Sequence, residues 1–85
     1  MCTTIIEKLP LNGVCKGPDG WFATSHAYVA YDHPSRAPLE HALSIRLVAE
    51  EGSADTLVVE LSREEGRRLL ESLSRALQQA DLVEG

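Results

Sequence analysis

The hydrophobic pattern of the chain changes its period once, at Ser62. Before this residue, apolar side chains alternate with polar or small ones, which is the two-residue period of a half-covered β-strand. After it, leucines and alanines recur at spacings of three and four residues, the period of an amphipathic helix. A chain of 85 residues has room for one domain. The pattern therefore predicts a single small domain, residues 1–85, with strands first and one helix last.

Four segments show the strand pattern. The first is rich in β-branched residues and ends before Pro10, which cannot donate a hydrogen bond to a neighbouring strand. Turn-forming residues dominate Leu11–Gly20, which predicts a loop with a tight turn at Asp19-Gly20. The predicted strands are Thr3–Leu9, Trp21–Asp32, Glu40–Glu50 and Asp55–Leu61. The last two, separated by a short turn, are expected to form an antiparallel hairpin.

A capping box marks the start of the helix. The Ser62 hydroxyl is placed to accept a hydrogen bond from the backbone N–H of Glu65, and the Glu65 carboxylate is placed to accept one from the N–H of Ser62. The helix is predicted to run from Arg63 to about Asp81. Four strands followed by one helix predict an α+β fold of two layers, in which a four-stranded antiparallel sheet carries the C-terminal helix packed on one face.

The second face of this sheet then lacks a cover. Phe22 and Tyr28 lie on it among small residues, and an exposed aromatic surface indicates contact with a partner or a ligand. Two-fold symmetric pairs are the commonest soluble oligomers. We therefore expect a homodimer, with a small molecule as a further partner.

Charge and hydropathy exclude two classes of partner. The net charge of −5 gives no basic patch for binding phosphate backbones, so no nucleic acid is expected. The longest apolar stretches, such as Thr56–Leu61, are far shorter than the roughly 20 residues of a membrane-spanning helix, so no membrane is expected either. The first ten residues lack the features of a secretory signal. We expect a cytoplasmic protein.

Most residues that are able to bind a metal or move a proton lie in Lys16–Leu43. Antiparallel pairing of the strands on either side of the proline-containing loop would bring His33 and His41 to the same end of the sheet. Two imidazoles with a carboxylate or a thiolate suit zinc or iron. The predicted metal ligands are Cys2, His33, Glu40 and His41, with Zn or Fe as the cofactor. Because their spacing matches no recognised metal motif, the alternative is that both histidines only stabilise the turn.

A second group of residues points to ligand binding. Trp21 and Phe22 follow a glycine-rich turn and would form an aromatic wall for a small apolar ligand. His26 and Tyr28 follow on the same strand, where a neutral imidazole would hydrogen-bond a ligand or act as a general base. The alternative is structural: the aromatic residues anchor the core, and His26 pairs with a side chain on the neighbouring strand.

Three blocks of sequence carry a resemblance. They are Met1-Cys2-Thr3, KGPDGWF at Lys16–Phe22, and YDHPxxAPLEHAL at Tyr31–Leu43. Together with the final helix, they resemble a family of small uncharacterised bacterial proteins, a domain of unknown function. The resemblance implies a shared site region without naming a reaction, and Cys15 and Arg46 depart from the usual pattern. The blocks contain Cys2, Asp32, His33, Glu40 and His41.

These observations leave three functions open. The first is a small homodimeric metal- or small-ligand-binding protein with a site of histidines and a carboxylate. The second is a cofactor-independent enzyme of the isomerase or cyclase type, in which His26 or His41 is the general base and Asp32 or Glu40 its partner. The third is a protein interaction module with no catalytic site, which docks through the aromatic sheet face and the proline loop.

Overall fold

A computed structural model describes residues 5–50 and 53–85. The elements are β1 (Ile5–Gly17), β2 (Gly20–Asp32), β3 (Ala42–Val48), β4 (Thr56–Leu61) and α1 (Arg63–Glu84). Every pair of neighbouring strands is antiparallel, and the order across the sheet is β1-β2-β3-β4. The predicted α+β fold, with four antiparallel strands and one C-terminal helix, is confirmed.

The first hairpin is longer than the sequence pattern predicts. β1 continues through Leu11–Gly17, so the predicted loop is wrong over this range, and the turn itself is Pro18-Asp19. The pairing of β1 with β2 shifts register between Pro10 and Gly13. Bulges and edge strands are the places where a sheet tolerates proline and turn-forming residues, and β1 provides both. Gly20 follows the turn with a φ of 116°, which favours glycine.

Other predicted boundaries differ by one to three residues. β2 begins at Gly20 rather than Trp21, β3 ends at Val48 rather than Glu50, and β4 begins at Thr56 rather than Asp55. β3 begins at Ala42 rather than at Glu40, because residues 33–41 form an irregular loop instead of entering the sheet. α1 continues beyond Asp81 to Glu84. No helix of the described residues is both long and apolar enough to cross a membrane.

The strand register assigns the side chains to two faces, since directly paired residues share a face. Tyr31 pairs with Leu43, and Leu43 pairs with Leu61. Tyr31 and Leu43 also line a groove beneath α1, so this is the helix-side face. It also carries Ala27, Val29, Ile45, Leu47, Leu57 and Val59. The opposite face, here called the polar face, carries Phe22, Thr24, His26, Tyr28, Ala30, Asp32, Ser44 and Arg46.

Few side chains are buried within the single chain. Among the described residues, Cys15, Thr24, Ala27 and Ala42 are buried, and no large side chain is completely enclosed. α1 packs on β3 and β4, yet none of its residues is buried. The two layers of the fold are therefore in contact without enclosing a core between them.

One carboxylate holds the loop of residues 33–41 against β4. Glu60 accepts hydrogen bonds from the backbone N–H groups of Ser35 at 2.6 Å, Arg36 at 2.8 Å and Ala37 at 3.1 Å. The bond from Ser35, together with those from Arg36 and Ala37, favours the ionised form and lowers the pKa of Glu60 below its ordinary value. Glu60 therefore ties the irregular loop to a regular strand.

Replacement of the helix cap, Ser62→Ala, tests the start of α1. The Ser62 hydroxyl accepts a hydrogen bond from the N–H of Glu65 at 3.2 Å, as the capping box predicts. Its loss should lower the free energy of unfolding by about 1 kcal/mol, the usual cost of removing such a cap. Urea unfolding followed by circular dichroism measures this change. Ser74→Ala, in the exposed middle of α1, is the control, and equal stability of the two variants would contradict the role of the cap.

Glu60→Gln should lower the melting temperature at neutral pH and flatten its decrease in acid. Because the pKa of Glu60 is lower in the folded chain, its ionised form stabilises the fold above the unfolded-state pKa, about 4.3. This stabilisation disappears as the pH falls through the folded-state pKa. Thermal melts from about pH 7 to about pH 3 cover this window. Glu50→Gln, in the exposed segment after β3, controls for net charge, and a Glu60→Gln variant with the parent's melting profile would refute the role of the carboxylate.

Candidate functional site

His33 and His41 meet at the beginning of β3. Their ring centroids are 4.9 Å apart and the ring planes differ by 25°. On its other side, the His41 ring stacks on Tyr31, with centroids 5.8 Å apart. The loop therefore brings two imidazoles and a phenol into one stack at the end of the two central strands.

Backbone groups hold the His33 end of this stack. Nδ1 of His33 lies 3.0 Å from the carbonyl oxygen of Glu40, and the His33 N–H donates to Oδ1 of Asp32 at 2.7 Å. Glu40 thus contacts His33 through its main chain rather than its carboxylate. Over residues 5–50 and 53–85, no group of three or more His, Cys, Asp or Glu side chains is arranged to hold a metal ion. Cys2 lies outside the described residues, so the four-ligand metal site stays a prediction.

The two predicted aromatic wall residues lie on opposite faces of β2. Trp21 belongs to the helix-side face, where it is 70% exposed. Phe22 belongs to the polar face and packs against the turn, since a Cβ placed on Gly17 would lie 3.1 Å from Cε1 of Phe22. Alternation along a strand makes one continuous wall from adjacent residues impossible.

His26 takes part in a short hydrogen-bond chain on β2. The Ser25 hydroxyl donates to the carbonyl oxygen of Ala49 at 3.0 Å and lies 2.9 Å from Nδ1 of His26. Since a hydroxyl has one proton to donate, Nδ1 of His26 is the donor in the second bond. Nε2 then carries the lone pair, and it is the atom that a ligand or a substrate proton would meet. A catalytic role for His26 or His41 stays a prediction.

A hollow lies on the polar face. Two rows of paired residues cross it: the first is Ile6, Ala30, Ser44 and Glu60, and the second is Lys8, Tyr28, Arg46 and Val58. The small side chains of Ala30 and Ser44 form its floor, while Asp32, His33 and Ser35 close one end. Its volume of about 430 Å³ lies within the range of small-molecule sites.

Tyr28 lies between two cations at the edge of this hollow. Nζ of Lys8 is 5.7 Å from the centroid of its ring, and Cζ of Arg46 is 5.0 Å from it. In the part of the chain that the structure describes, no ion pair joins Lys8 or Arg46 to a carboxylate. The oxygens of Glu60, in contrast, already accept from the loop. Lys8 and Arg46 thus form a positive patch around Tyr28, whereas the carboxylates of Asp32 and Glu60 line the part of the hollow next to the loop.

The sequence pattern identifies Tyr28 and His33 as candidate site residues but not their neighbours Ser44 and Glu60. Arg46 departs from the pattern of the family that the sequence resembles, which argues against a central role for it. The alternation of β3 places Ser44 and Arg46 together on one face. Only the register, which pairs Arg46 with Tyr28, shows that they share a site.

Comparisons with known proteins place the chain in a family without a known activity. Neither the curated proteins nor the solved structures contain a significant match to it. Residues 1–84 match a family of unknown function, and this match spans every element that builds the hollow and the histidine stack. The chain therefore belongs to DUF6295, a family of unknown function.

Proposed function

We propose that this protein binds a small organic anion in the hollow on its polar face. The observation that carries the proposal is the pair of cations around Tyr28, which have no carboxylate partner among the described residues. A guanidinium with an available fork of N–H donors binds carboxylates and phosphates more strongly than neutral groups. The end of the hollow around Tyr28 therefore favours an anion.

The remaining side chains of the hollow favour a ligand with a small apolar body. Ile6 and Val58 stand at the two sides of the sheet, with the short side chains of Ala30 and Ser44 between them. A flat body would lie on this floor while its anionic group reaches Arg46. Apolar surroundings and a few convergent polar groups are the usual composition of a small-molecule site.

Benzoate and benzamide test the proposal as a matched pair, because they have the same ring and differ in charge. Benzoate should raise the melting temperature and benzamide should not. At a concentration of one hundred times the dissociation constant, the stabilisation is about 2.7 kcal/mol. Inorganic phosphate provides a second anionic probe. Equal shifts with benzoate and benzamide, or no shift with either anion, would contradict an anion site.

Arg46→Gln should weaken benzoate binding about tenfold or more, since it removes a charged hydrogen-bond donor. Isothermal titration calorimetry measures the loss. The control is Arg75→Gln on α1, where Arg75 lies 4.0 Å from Glu71 and far along the chain from the hollow. If Arg46→Gln binds benzoate as tightly as the parent, the Arg46 guanidinium does not contact the anion.

A second candidate is a zinc or iron site at the histidine stack. The supporting observation is the contact between Nδ1 of His33 and the Glu40 carbonyl oxygen, since metal-binding histidines usually donate their other ring N–H to such a group. His41 would supply a second imidazole, and Cys2 or a carboxylate the remaining ligands.

Metal analysis of untagged protein purified without chelator tests this candidate. Inductively coupled plasma mass spectrometry should find near-stoichiometric zinc or iron, and the double variant His33→Ala, His41→Ala should lose it. His26→Ala is the control, because His26 bonds Ser25 on another part of β2. Absence of metal from the parent, or retention by the double variant, would exclude the stack as a metal site.

A further inference from the structure

The single chain exposes much more surface than a compact protein of its mass. Its accessible surface is 6824 Å², whereas a folded monomer of 9.3 kDa exposes roughly 5,000 Å². The difference is more than twice the ~800 Å² that each partner contributes to a standard interface. The radius of gyration is 14.6 Å, against roughly 12 Å for a compact domain of this length. One chain therefore has enough uncovered surface for a stable dimer.

The uncovered surface includes one side of α1. Gly66 brings the helix close to β3, since a Cβ there would lie 2.6 Å from Cδ2 of Leu43. Further along α1, Leu70, Leu73 and Leu77 are all more than half exposed. Their spacings of three and four residues place them on one side of the helix. These three residues form an apolar ridge, here called the leucine stripe.

The same side of the sheet has an uncovered apolar half. Ile5 and Leu9 pair with residues of the helix-side face of β2, and Val14 pairs with Ala23 of that face. α1 packs on β3 and β4, so it does not reach these positions. The apolar side chains of this surface, here called the open half, are Ile5, Leu9, Val14 and Trp21, all of which are exposed. Glu7 and Lys16 lie on the same face, since they pair with Val29 and Trp21.

The far end of the first hairpin also needs support. β3 pairs with β2 only from His26 onwards, so the segment 20–25 of β2 is paired with β1 alone. Isolated two-stranded hairpins are at best marginally stable in water. Trp21, at the beginning of this segment, is the only tryptophan of the chain and is 70% exposed. A second layer over Trp21 would stabilise the hairpin.

We propose that a second copy of the chain covers the helix-side face, with the leucine stripe of each protomer packed on the open half of its partner. Each chain carries both the ridge and the surface that the ridge would cover. A two-fold axis therefore buries the leucine stripe and the open half of both chains at once. The resulting dimer is closed, because no leucine stripe and no open half is left exposed for a third chain. The excess exposed area of each chain is sufficient for this arrangement.

This interface is independent of the anion site. The hollow lies on the polar face, and the partner lies on the helix-side face, so each protomer keeps an open hollow that faces away from its partner. The sequence pattern predicts the partner on the face that carries Phe22 and Tyr28. The proposed interface lies on the opposite face instead, because the leucine stripe and the open half are exposed there.

Light scattering coupled to size exclusion, together with the fluorescence of Trp21, tests the interface. The parent should have twice the chain mass of 9.3 kDa, and Trp21 should be protected from quenching by acrylamide. Leu77→Glu places a charge in the stripe and should lose the dimer. Leu82→Glu is the control and should remain dimeric. Leu82 is 86% exposed, and it lies on the side of α1 opposite to Leu73, because nine residues correspond to a rotation of about 180°.

A folded parent with the mass of one chain would overturn the proposal. A dimer that survives Leu77→Glu, or one in which acrylamide quenches Trp21 as it quenches free tryptophan, would also overturn it. If Leu77→Glu does not fold, the quenching of Trp21 in the parent decides. Protection supports coverage of the open half, and full quenching refutes it.

Discussion

The width of a single helix is the constraint on which the rest of this structure depends. A helix is about 10 Å across, and strands are about 4.8 Å apart, so one helix covers about two strands of a sheet. The described residues form four strands and one helix, and the helix packs on β3 and β4. The apolar side chains of β1 and β2 on the same side are left without a cover. Neither layer can enclose a core alone, and in the proposed dimer a second copy supplies the missing helix.

The constraint also explains why the two faces of the sheet differ in chemistry. The helix-side face carries Val29, Ile45 and Leu47, which suit contact with another apolar layer. The polar face carries Ser44, Arg46 and Tyr28, and its floor is lowered by small residues where a ligand would lie. Glu60 connects the sheet to the wall of the hollow. It lies in β4, paired with Ser44 of β3, and its carboxylate accepts hydrogen bonds from the loop that forms this wall.

Local signals in the sequence were sufficient for the helix and for the sheet faces. The capping box located the start of α1 because the Ser62 hydroxyl accepts from the N–H of Glu65, a backbone group without an intrahelical partner. The Glu65 carboxylate, predicted to accept from the N–H of Ser62, instead accepts from Arg68. The alternation in β2 gave the correct faces, since a strand has only two sides. The segment Leu11–Gly17 was predicted wrongly because a bulge in an edge strand accepts the residues that otherwise mark a loop. The hollow could not be predicted in this way, because it depends on the pairing of Arg46 with Tyr28. This pairing is set by the register between β2 and β3, which the sequence of either strand alone does not indicate.

Concentration dependence of unfolding tests the central claim, that one chain cannot form a stable core without a second. Urea unfolding at about 1 and about 100 μM should give midpoints that differ by about 1 M, because a dimer that unfolds to two chains gains about 2.7 kcal/mol over this range. Identical midpoints at the two concentrations would mean that the single chain folds by itself, which would contradict the account.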